Sequence, residues 1–266
     1  MVHASAAVTR DQTTGPADGL RITWSTVRRS LTRQYPVTIP MVLLVSLVPF
    51  YLVIAGRAQS GTAHVPEMAL DRLLPLAPVW ALVYGALYAF LIVLPVFVVH
   101  QQELIRRTVR AYLTVWIVAY VIFLLYPTVA SRPETVTGTG FAVWGLRVLY
   151  EADPPYNCFP SLHVAHSFVS ALACFRVHRT LGIVAMSCAS LVALSTLFTK
   201  QHYVADLVAG ILLALAAYAM FLRGYARANV PELERRLAPV LALAVGGIVG
   251  LGVIGCWAVY RLRLWP

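Results

Sequence analysis

The chain of 266 residues is 59% hydrophobic and 12% charged, and it carries a formal net charge of +10 at pH 7. This balance excludes an ordinary soluble domain and is typical of a helical membrane protein with several spans. Most of the positive charge lies in short segments between apolar runs, where it orients helices against an anionic membrane. We therefore expect a lipid environment and no nucleic acid partner.

Seven apolar runs are each long enough to cross a bilayer as a helix, which takes about 17–25 residues. We therefore predict an all-α, polytopic membrane bundle of six core transmembrane helices followed by a seventh, C-terminal one. Because Arg261 and Arg263 follow the last run, a re-entrant or interfacial helix is the alternative there. The runs cover residues 37–56, 78–99, 109–127, 161–177, 180–199, 203–222 and 238–260.

Basic residues are unevenly divided between the two sides that these spans define. Fourteen of the 21 lysines and arginines fall on the side of the N-terminus, and the other seven fall on the opposite side. The positive-inside rule therefore predicts a multi-pass protein of the cell membrane with a cytoplasmic N-terminus. The excess of arginine over lysine suggests a bacterial source.

The longest loop on the predicted outer side covers residues 128–160. It contains the apolar stretch 141–150, which is too short to span a bilayer, so we expect an interfacial helix that covers a site. Arg147, Glu151 and Asp153 lie in the same loop. We interpret these three as solvated side chains rather than catalytic ones.

Two short polar motifs adjoin apolar runs and break the pattern of the rest of the chain. Phe159-Pro160-Ser161-Leu162-His163 opens the fourth run, and Lys200-Gln201-His202-Tyr203-Val204-Ala205-Asp206 connects the fifth run to the sixth. An ionisable group at membrane depth costs roughly 2.5–3.5 kcal/mol on insertion scales, so such groups are functional candidates. These motifs are therefore the first place to look for chemistry.

Counting the spans places both motifs and Arg132 on the same, outer side. His202 and Asp206 stand four apart at the start of one helix, so they share a face and the carboxylate can orient the imidazole. His163 begins a helix whose unpaired N–H groups favour an anion. Arg132 and Lys200 add cations suited to oxyanions. Together these groups predict a phosphate site with an acid and a nucleophile.

In order and spacing, these residues resemble the motifs of the type-2 phosphatidic-acid phosphatase superfamily of membrane lipid phosphatases and phosphotransferases. That family carries Lys-x6-Arg-Pro, Pro-Ser-Gly-His and Ser-Arg-x5-His-x3-Asp motifs. The end of the first is matched by Arg132-Pro133, and the second is matched by residues 160–163 with Leu in place of Gly. The third is matched by Ser195, His202 and Asp206. The resemblance covers roughly residues 109–222.

The sequence also departs from this family pattern at two cationic positions. Leu125 stands where the first motif has its lysine, and Thr196 stands where the third has its arginine. We expect Lys200 to replace part of the missing charge. The motif sequences Phe-Pro-Ser-Leu-His and Lys-Gln-His-Tyr are similar to those of the inositolphosphotransferase branch of the family. This branch includes inositol phosphorylceramide synthases.

The resemblance implies a double displacement without a metal or other cofactor. In it His202 attacks phosphorus and forms a phosphohistidine, Asp206 stabilises the imidazolium, and His163 protonates the leaving alkoxide. Arg132, Ser161 and Lys200 bind the phosphate oxygens, where catalysis of phosphoryl transfer mostly lies. We expect indirect, supporting positions for three further residues: Ser195, His166 and Tyr203.

The apolar runs, the basic segments and the motifs together suggest a division of the chain into three parts. Residues 1–36 form a basic cytoplasmic segment, residues 37–222 a membrane-embedded catalytic domain, and residues 223–266 a cytoplasmic loop with the last span. The expected partner is a membrane lipid phosphate or phospholipid, joined by a polyol or lipid alcohol as acceptor.

Several functions remain open at this point. Transfer to an alcohol is favoured, and hydrolysis with water as acceptor, which makes the protein a lipid phosphate phosphatase, uses the same residues. A membrane electron carrier with His163 and His202 as haem ligands is a remote alternative. A transporter coupled through Asp206 is another, although no inverted repeat is evident.

Overall fold

The computed structural model describes residues 23–31, 47–59 and 62–264. These residues form helices joined by turns and irregular segments, and within them only isolated bridges such as His64 with Thr128 have strand-like pairing. A π turn (Tyr218–Leu222) directly follows the helix that ends at Ala217, and a 3-10 turn (Arg227–Asn229) precedes the helix that begins at Glu232. The α-helices are α1 (Trp24–Leu31), α2 (Val48–Gln59), α3 (Ala69–Leu73), α4 (Val79–Val98), α5 (Gln102–Leu125), α6 (Phe141–Ala152), α7 (Leu162–Val177), α8 (Arg179–Phe198), α9 (Val204–Ala217) and α10 (Glu232–Arg261).

Five helices in the described part of the chain are long and apolar enough to cross a membrane: α4, α5, α8, α9 with its π turn, and α10. α7 is apolar but has 16 residues, about 24 Å of helix against a hydrocarbon core of about 30 Å. Of the first predicted run, residues 37–46 lie outside the described residues. The helical membrane class is therefore confirmed, whereas the predicted count of six or seven spans is not.

α7 is the central helix of the bundle. It packs against α4, α5, α8 and α9, and small side chains fully buried along its length allow this close approach from several sides. Ser161 begins the helix because its hydroxyl accepts the Val164 N–H at 3.4 Å. His178 separates α7 from α8, and its Nδ1 accepts the Leu181 N–H at 3.2 Å. The fully buried small residues are Ala165, Ser167, Ser170, Ala171, Ala173 and Cys174.

The segments 62–78, 126–161 and 199–203 meet at one end of the bundle, which we call the site end. Backbone hydrogen bonds join the first segment to its neighbours: His64 N donates to Pro127 O at 2.8 Å, and Ala77 N donates at 2.9 Å to the carbonyl of Phe198, the last residue of α8. The interfacial helix expected over 141–150 is α6, which packs on α4 at this end. The two polar motifs and Arg132 therefore lie at the same end of the bundle.

Candidate active site

Two histidines and a carboxylate form a continuous chain of side chains at the site end. His163 Nδ1 lies 3.2 Å from His202 Nε2, and His202 Nδ1 lies 3.3 Å from Asp206 Oδ2. His202 and Asp206 are both buried. A carboxylate at one ring nitrogen holds the proton there and leaves the other nitrogen, Nε2, free to act as base or nucleophile.

The first turn of α9 positions the acidic end of this chain. Asp206 Oδ2 also accepts the Tyr203 N–H at 2.8 Å, so one oxygen both caps the helix and faces His202. The Asp206 carbonyl accepts the Ser161 N–H at 3.1 Å, which ties the start of α7 to α9. Gly210 makes this approach possible, since a Cβ there would lie 2.6 Å from Ser161 O.

Asp153, the residue that ends α6, faces the other side of His163. Asp153 Oδ2 lies 3.9 Å from His163 Nε2, and Oδ1 accepts the Tyr51 hydroxyl at 3.0 Å. Its side chain is 16% exposed, so the interpretation of Asp153 as solvated is wrong. The rings of Tyr84 and Tyr88 contact His163 edge-on. In sequence the sole signal for Asp153 is its place directly after the interfacial helix.

Arg132 holds the segment that carries Asp153. Its guanidinium donates to the carbonyls of Asp153 at 2.6 Å and Pro154 at 3.4 Å, and to the side-chain oxygen of Gln201. Burial lowers the pKa of Arg132, and the charge of Asp153 opposes that change. Gln201 is a buried residue between Lys200 and His202 to which the sequence analysis assigns no role. Its bond to Arg132 joins the loop that carries Arg132 to the loop that carries His202.

Lys200 lies in the turn after α8 with a positive φ of 55°. Its ammonium donates to the carbonyls of Asp71 at 3.1 Å and Leu74 at 2.6 Å. The Asp71 carboxylate in turn accepts the Val204 N–H at 2.8 Å, so α3 is fastened to the turn between α8 and α9. Lys200 also borders a cavity of about 390 Å³ that reaches His202.

The remaining predicted residues lie around the contacting side chains of His163, His202 and Asp206 and do not touch the reactive nitrogens. Ser195 donates its hydroxyl to Val192 O at 2.6 Å within α8, and the Tyr203 hydroxyl accepts the Ser131 N–H at 2.8 Å. His166 stacks on Tyr112 with ring centroids 4.3 Å apart. Ser161 caps α7 two residues before His163. The structure thus brings His163, His202 and Asp206 into contact and places the others around them.

One group of residues in the described part of the chain has the composition of a metal site. Single ligand atoms of Cys158, His202 and Asp206 lie within 4.8 Å of one another. Burial raises the pKa of the Cys158 thiol, and the charge of Asp206 raises it further. That shift opposes the thiolate form that binds metals. A haem between His163 and His202 does not fit this geometry, because the facing nitrogens are already in contact.

The comparison with known families decides the class of this site. A family model described as the PAP2 superfamily matches residues 61–220, which include all three motifs. The chain belongs to the PAP2 superfamily. A PA-phosphatase related-family protein of Dictyostelium discoideum is 25% identical over 121 residues, which is 41% of this chain and 22% of that protein. No solved structure matches the chain.

Membership of the PAP2 superfamily confirms the resemblance at that level, while the inositolphosphotransferase branch stays a prediction. The two departures from the PAP2 motifs differ in surroundings. Leu125 is 80% exposed on the outside of the bundle. The Thr196 carbonyl accepts the N–H groups of Gln201 and His202, so its backbone shapes the loop that presents His202.

Proposed function

We propose that this protein is a membrane enzyme that transfers the phosphoryl or phospho-head group of a lipid through a phosphohistidine on His202. The observation that carries the proposal is the chain of contacts from His163 through His202 to Asp206. His163 is placed to act as general acid, His202 is placed beside it to act as nucleophile, and Asp206 is placed to stabilise the charged form of His202. Membership of the PAP2 superfamily supports lipid phosphatase or phosphotransferase chemistry.

In the first step, His202 Nε2 forms a bond to phosphorus while the bond from phosphorus to the lipid oxygen breaks. His163 gives its proton to that oxygen, and Asp206 accepts the hydrogen bond of His202 Nδ1–H as the ring becomes positive. In the second step, His163 takes a proton from the acceptor hydroxyl, whose oxygen displaces Nε2. If a phosphoryl group is carried on His202, water gives free phosphate and an alcohol gives a new phosphomonoester. If a phospho-head group is carried, water gives the free phosphorylated head group and an alcohol gives a new phosphodiester.

The phosphate oxygens need donors during both steps. We propose that the backbone N–H groups at the start of α7, with Ser161 and Arg132, supply them, and that Lys200 adds charge from its side of the cavity. The facing nitrogens of His163 and His202 are 3.2 Å apart, a separation that leaves no room for phosphorus between them. Binding therefore separates the two rings.

We favour an alcohol as the acceptor. More specifically, we propose an inositolphosphotransferase-like activity. The cavity beside His202 supports it, because it has space for a polyol and polar lining groups that include Glu67, Ser131 and Tyr203. Water as acceptor is the second candidate, since the same residues serve hydrolysis. We propose that the site faces the outer side of the cell membrane, as the distribution of basic residues predicts.

The test is turnover of radiolabelled phosphatidic acid and phosphatidylinositol by purified protein in detergent micelles. We expect His202→Ala to abolish turnover and the acid-labile label on the protein. His64→Ala, which changes an exposed histidine at the same end, should leave both intact. Activity that persists in His202→Ala would remove this mechanism.

Two additions separate the remaining alternatives. Activity that survives EDTA and is inhibited by vanadate supports transfer without a metal, whereas loss in EDTA would direct attention to the Cys158 group. With labelled phosphatidic acid, added myo-inositol should divert the label from free phosphate into inositol phosphate. With labelled phosphatidylinositol, an added lipid alcohol should divert the label from free inositol phosphate into a new phosphodiester. Release of free phosphate that no alcohol changes would make the protein a phosphatase.

A further inference from the structure

An apolar groove of about 440 Å³ lies between α4, α6 and α10. Its volume is within the roughly 300–1,000 Å³ of ligand sites in proteins. We call it the chain groove and define it by residues from each helix: Ala81 and Gly85 of α4, Trp144 and Leu149 of α6, and Gly252 and Val253 of α10. No side chain that lines it carries a charge.

The chain groove lies in the half of the bundle nearest the site end. It is bordered by the first half of α4, by α6, and by the second half of α10. Tyr260 near the end of α10 contacts Phe141 and Trp144 at the start of α6. The residues of α6 that line the groove recur at helical spacing on one face: Phe141, Trp144, Gly145, Val148, Leu149 and Ala152.

The groove is continuous with the candidate active site at two points. Tyr84 lines the groove, and its ring centroid lies 5.4 Å from that of His163. Ala152 is the last residue of α6 to line the groove, and the next residue is Asp153, whose carboxylate faces His163. One end of the groove therefore adjoins the proton donor of the proposed reaction.

We infer that the chain groove binds a hydrocarbon chain of the lipid whose phosphate is held at His163 and His202. The inference rests on the proposed function. In a bilayer an apolar groove is filled by lipid chains, and a chain tethered to a phosphate in the adjoining site has a far higher local concentration than any other. The uncharged lining suits a hydrocarbon, and Arg132 beside Asp153 gives the phosphate end its cation.

One wall of the groove belongs to α10, which lies outside the residues 61–220 that the PAP2 family model matches. The length or shape of the hydrocarbon chain that this protein prefers is thus set in part by α10, outside the residues that match the family model. We expect this protein to discriminate between lipid chains through α10.

Two glycines on α10 provide a matched pair of variants. A Cβ added at Gly252 or at Gly255 would meet nothing within 4 Å, so both positions are open where a side chain begins. Gly252 lines the groove, whereas Gly255 does not. Gly252→Leu therefore fills the groove, and Gly255→Leu is its control. Gly85→Leu, also free of contacts, fills the same space from α4 if Gly252→Leu does not fold.

The first experiment measures binding and needs no turnover. Phosphatidic acid with a diazirine at the end of one chain is irradiated with the protein in micelles, and labelled peptides are identified by mass spectrometry. We expect label on α6 and on residues 249–256, reduced by excess phosphatidic acid but not by phosphatidylcholine. Gly252→Leu should lose this label, and Gly255→Leu should keep it.

The second experiment measures chain selectivity. For Gly252→Leu, kcat/KM for dioleoyl phosphatidic acid should fall about ten-fold more than kcat/KM for the dihexanoyl form. Gly255→Leu should change both equally little. An equal loss for both chain lengths in Gly252→Leu would overturn the inference.

Labelling that phosphatidylcholine competes as well as phosphatidic acid does, or labelling that avoids the groove, would also overturn it. The binding result is independent of the reaction. If His202→Ala retains turnover, the proposed mechanism fails while competed labelling of the groove still stands. If turnover follows the proposed mechanism but label avoids the groove, the inference alone fails.

Discussion

His163 Nδ1 faces His202 Nε2 at 3.2 Å, although 39 residues separate the two histidines in the chain. The contact gives the two rings different surroundings. His202 has Asp206 on its far side, and His163 has Asp153 with the edges of Tyr84 and Tyr88. We interpret this asymmetry as the division of labour between the nucleophile and the proton donor.

The first prediction separates the two histidines by the leaving group of the substrate. A nitrophenolate departs without a proton, whereas a lipid alkoxide needs one. With p-nitrophenyl phosphate, His163→Ala should therefore release a burst of about one equivalent of nitrophenolate and then stall, because it lacks the base for the second step. With phosphatidic acid, its turnover should fall by about 10²–10⁴-fold.

His202→Ala is the matched comparison, and it should show neither burst nor turnover with either substrate. A burst in His202→Ala that is absent from His163→Ala would exchange the two roles. Stopped-flow absorbance of nitrophenolate makes the measurement.

The second prediction concerns Asp153, whose carboxylate faces His163 Nε2. Asp153→Asn removes the charge that orients and stabilises the protonated ring. Turnover of phosphatidic acid should therefore fall by about 10–100-fold, the size of effect that removing the partner of a metal-bound histidine has. The burst with p-nitrophenyl phosphate should remain, as we also predict for His163→Ala.

Glu151→Gln is the control for Asp153→Asn, because Glu151 is exposed two residues earlier in α6. If Asp153→Asn lowers activity equally with both substrates and also lowers the unfolding temperature, Asp153 has only a structural role, which is to hold α6 against Tyr51.

The third prediction concerns Lys200, whose ammonium is bound to the carbonyls of Asp71 and Leu74. Lys200→Met should lower the free energy of unfolding by about 1.5–3 kcal/mol, the usual contribution of hydrogen bonds to a charged group. Thermal unfolding in detergent, beside KM for phosphatidic acid, makes the measurement.

Arg72→Met is the control for charge, since Arg72 borders the same cavity with a side chain that is 74% exposed. Its effect on stability should be small, as for other exposed ion pairs. Unchanged stability with a raised KM in Lys200→Met would instead make Lys200 a phosphate ligand, as the family resemblance implies.

The fourth prediction concerns the close approach of α9 to the start of α7. Gly210→Ala places a methyl group 2.6 Å from the Ser161 carbonyl. Because that neighbour is backbone, the helices must separate, at a cost of about 1–3 kcal/mol. Activity should fall with stability, since the separation moves His163 relative to His202.

Gly246→Ala is the matched control in α10, where an added Cβ meets nothing within 4 Å. It should be neutral or stabilising by roughly 0.5–1 kcal/mol, because alanine favours the helix. If Gly210→Ala unfolds at the same temperature as Gly246→Ala, the packing argument is wrong.

The helical membrane class and the common location of the motifs could both be predicted from sequence. Apolar runs follow from the thickness of the bilayer, and counting them assigns each loop to one end. The four-residue spacing of His202 and Asp206 is a local property of one helix, so their contact was predictable too. The number of spans was not, because residues 162–177 form a helix close to the lower limit of length.

Asp153 and Gln201 show where sequence reasoning ends. Each looks like an ordinary loop residue, and each acquires a role through contacts with residues ten or more positions away: Asp153 with His163 and Tyr51, and Gln201 with Arg132. Lys200 shows the same limit, since its charge suggests a phosphate whereas its ammonium contacts carbonyls of the segment that contains α3.

The sequence by itself determined the membrane class, the family motifs and the pairing of a histidine with an acid, because hydropathy and helical spacing are local properties of the chain. Only the tertiary structure decided that His163 meets His202, that Asp153 stands behind His163, and that α10 completes an apolar groove beside them. Those relationships depend on how helices distant in sequence pack, and packing is set by the shapes of all the side chains between them.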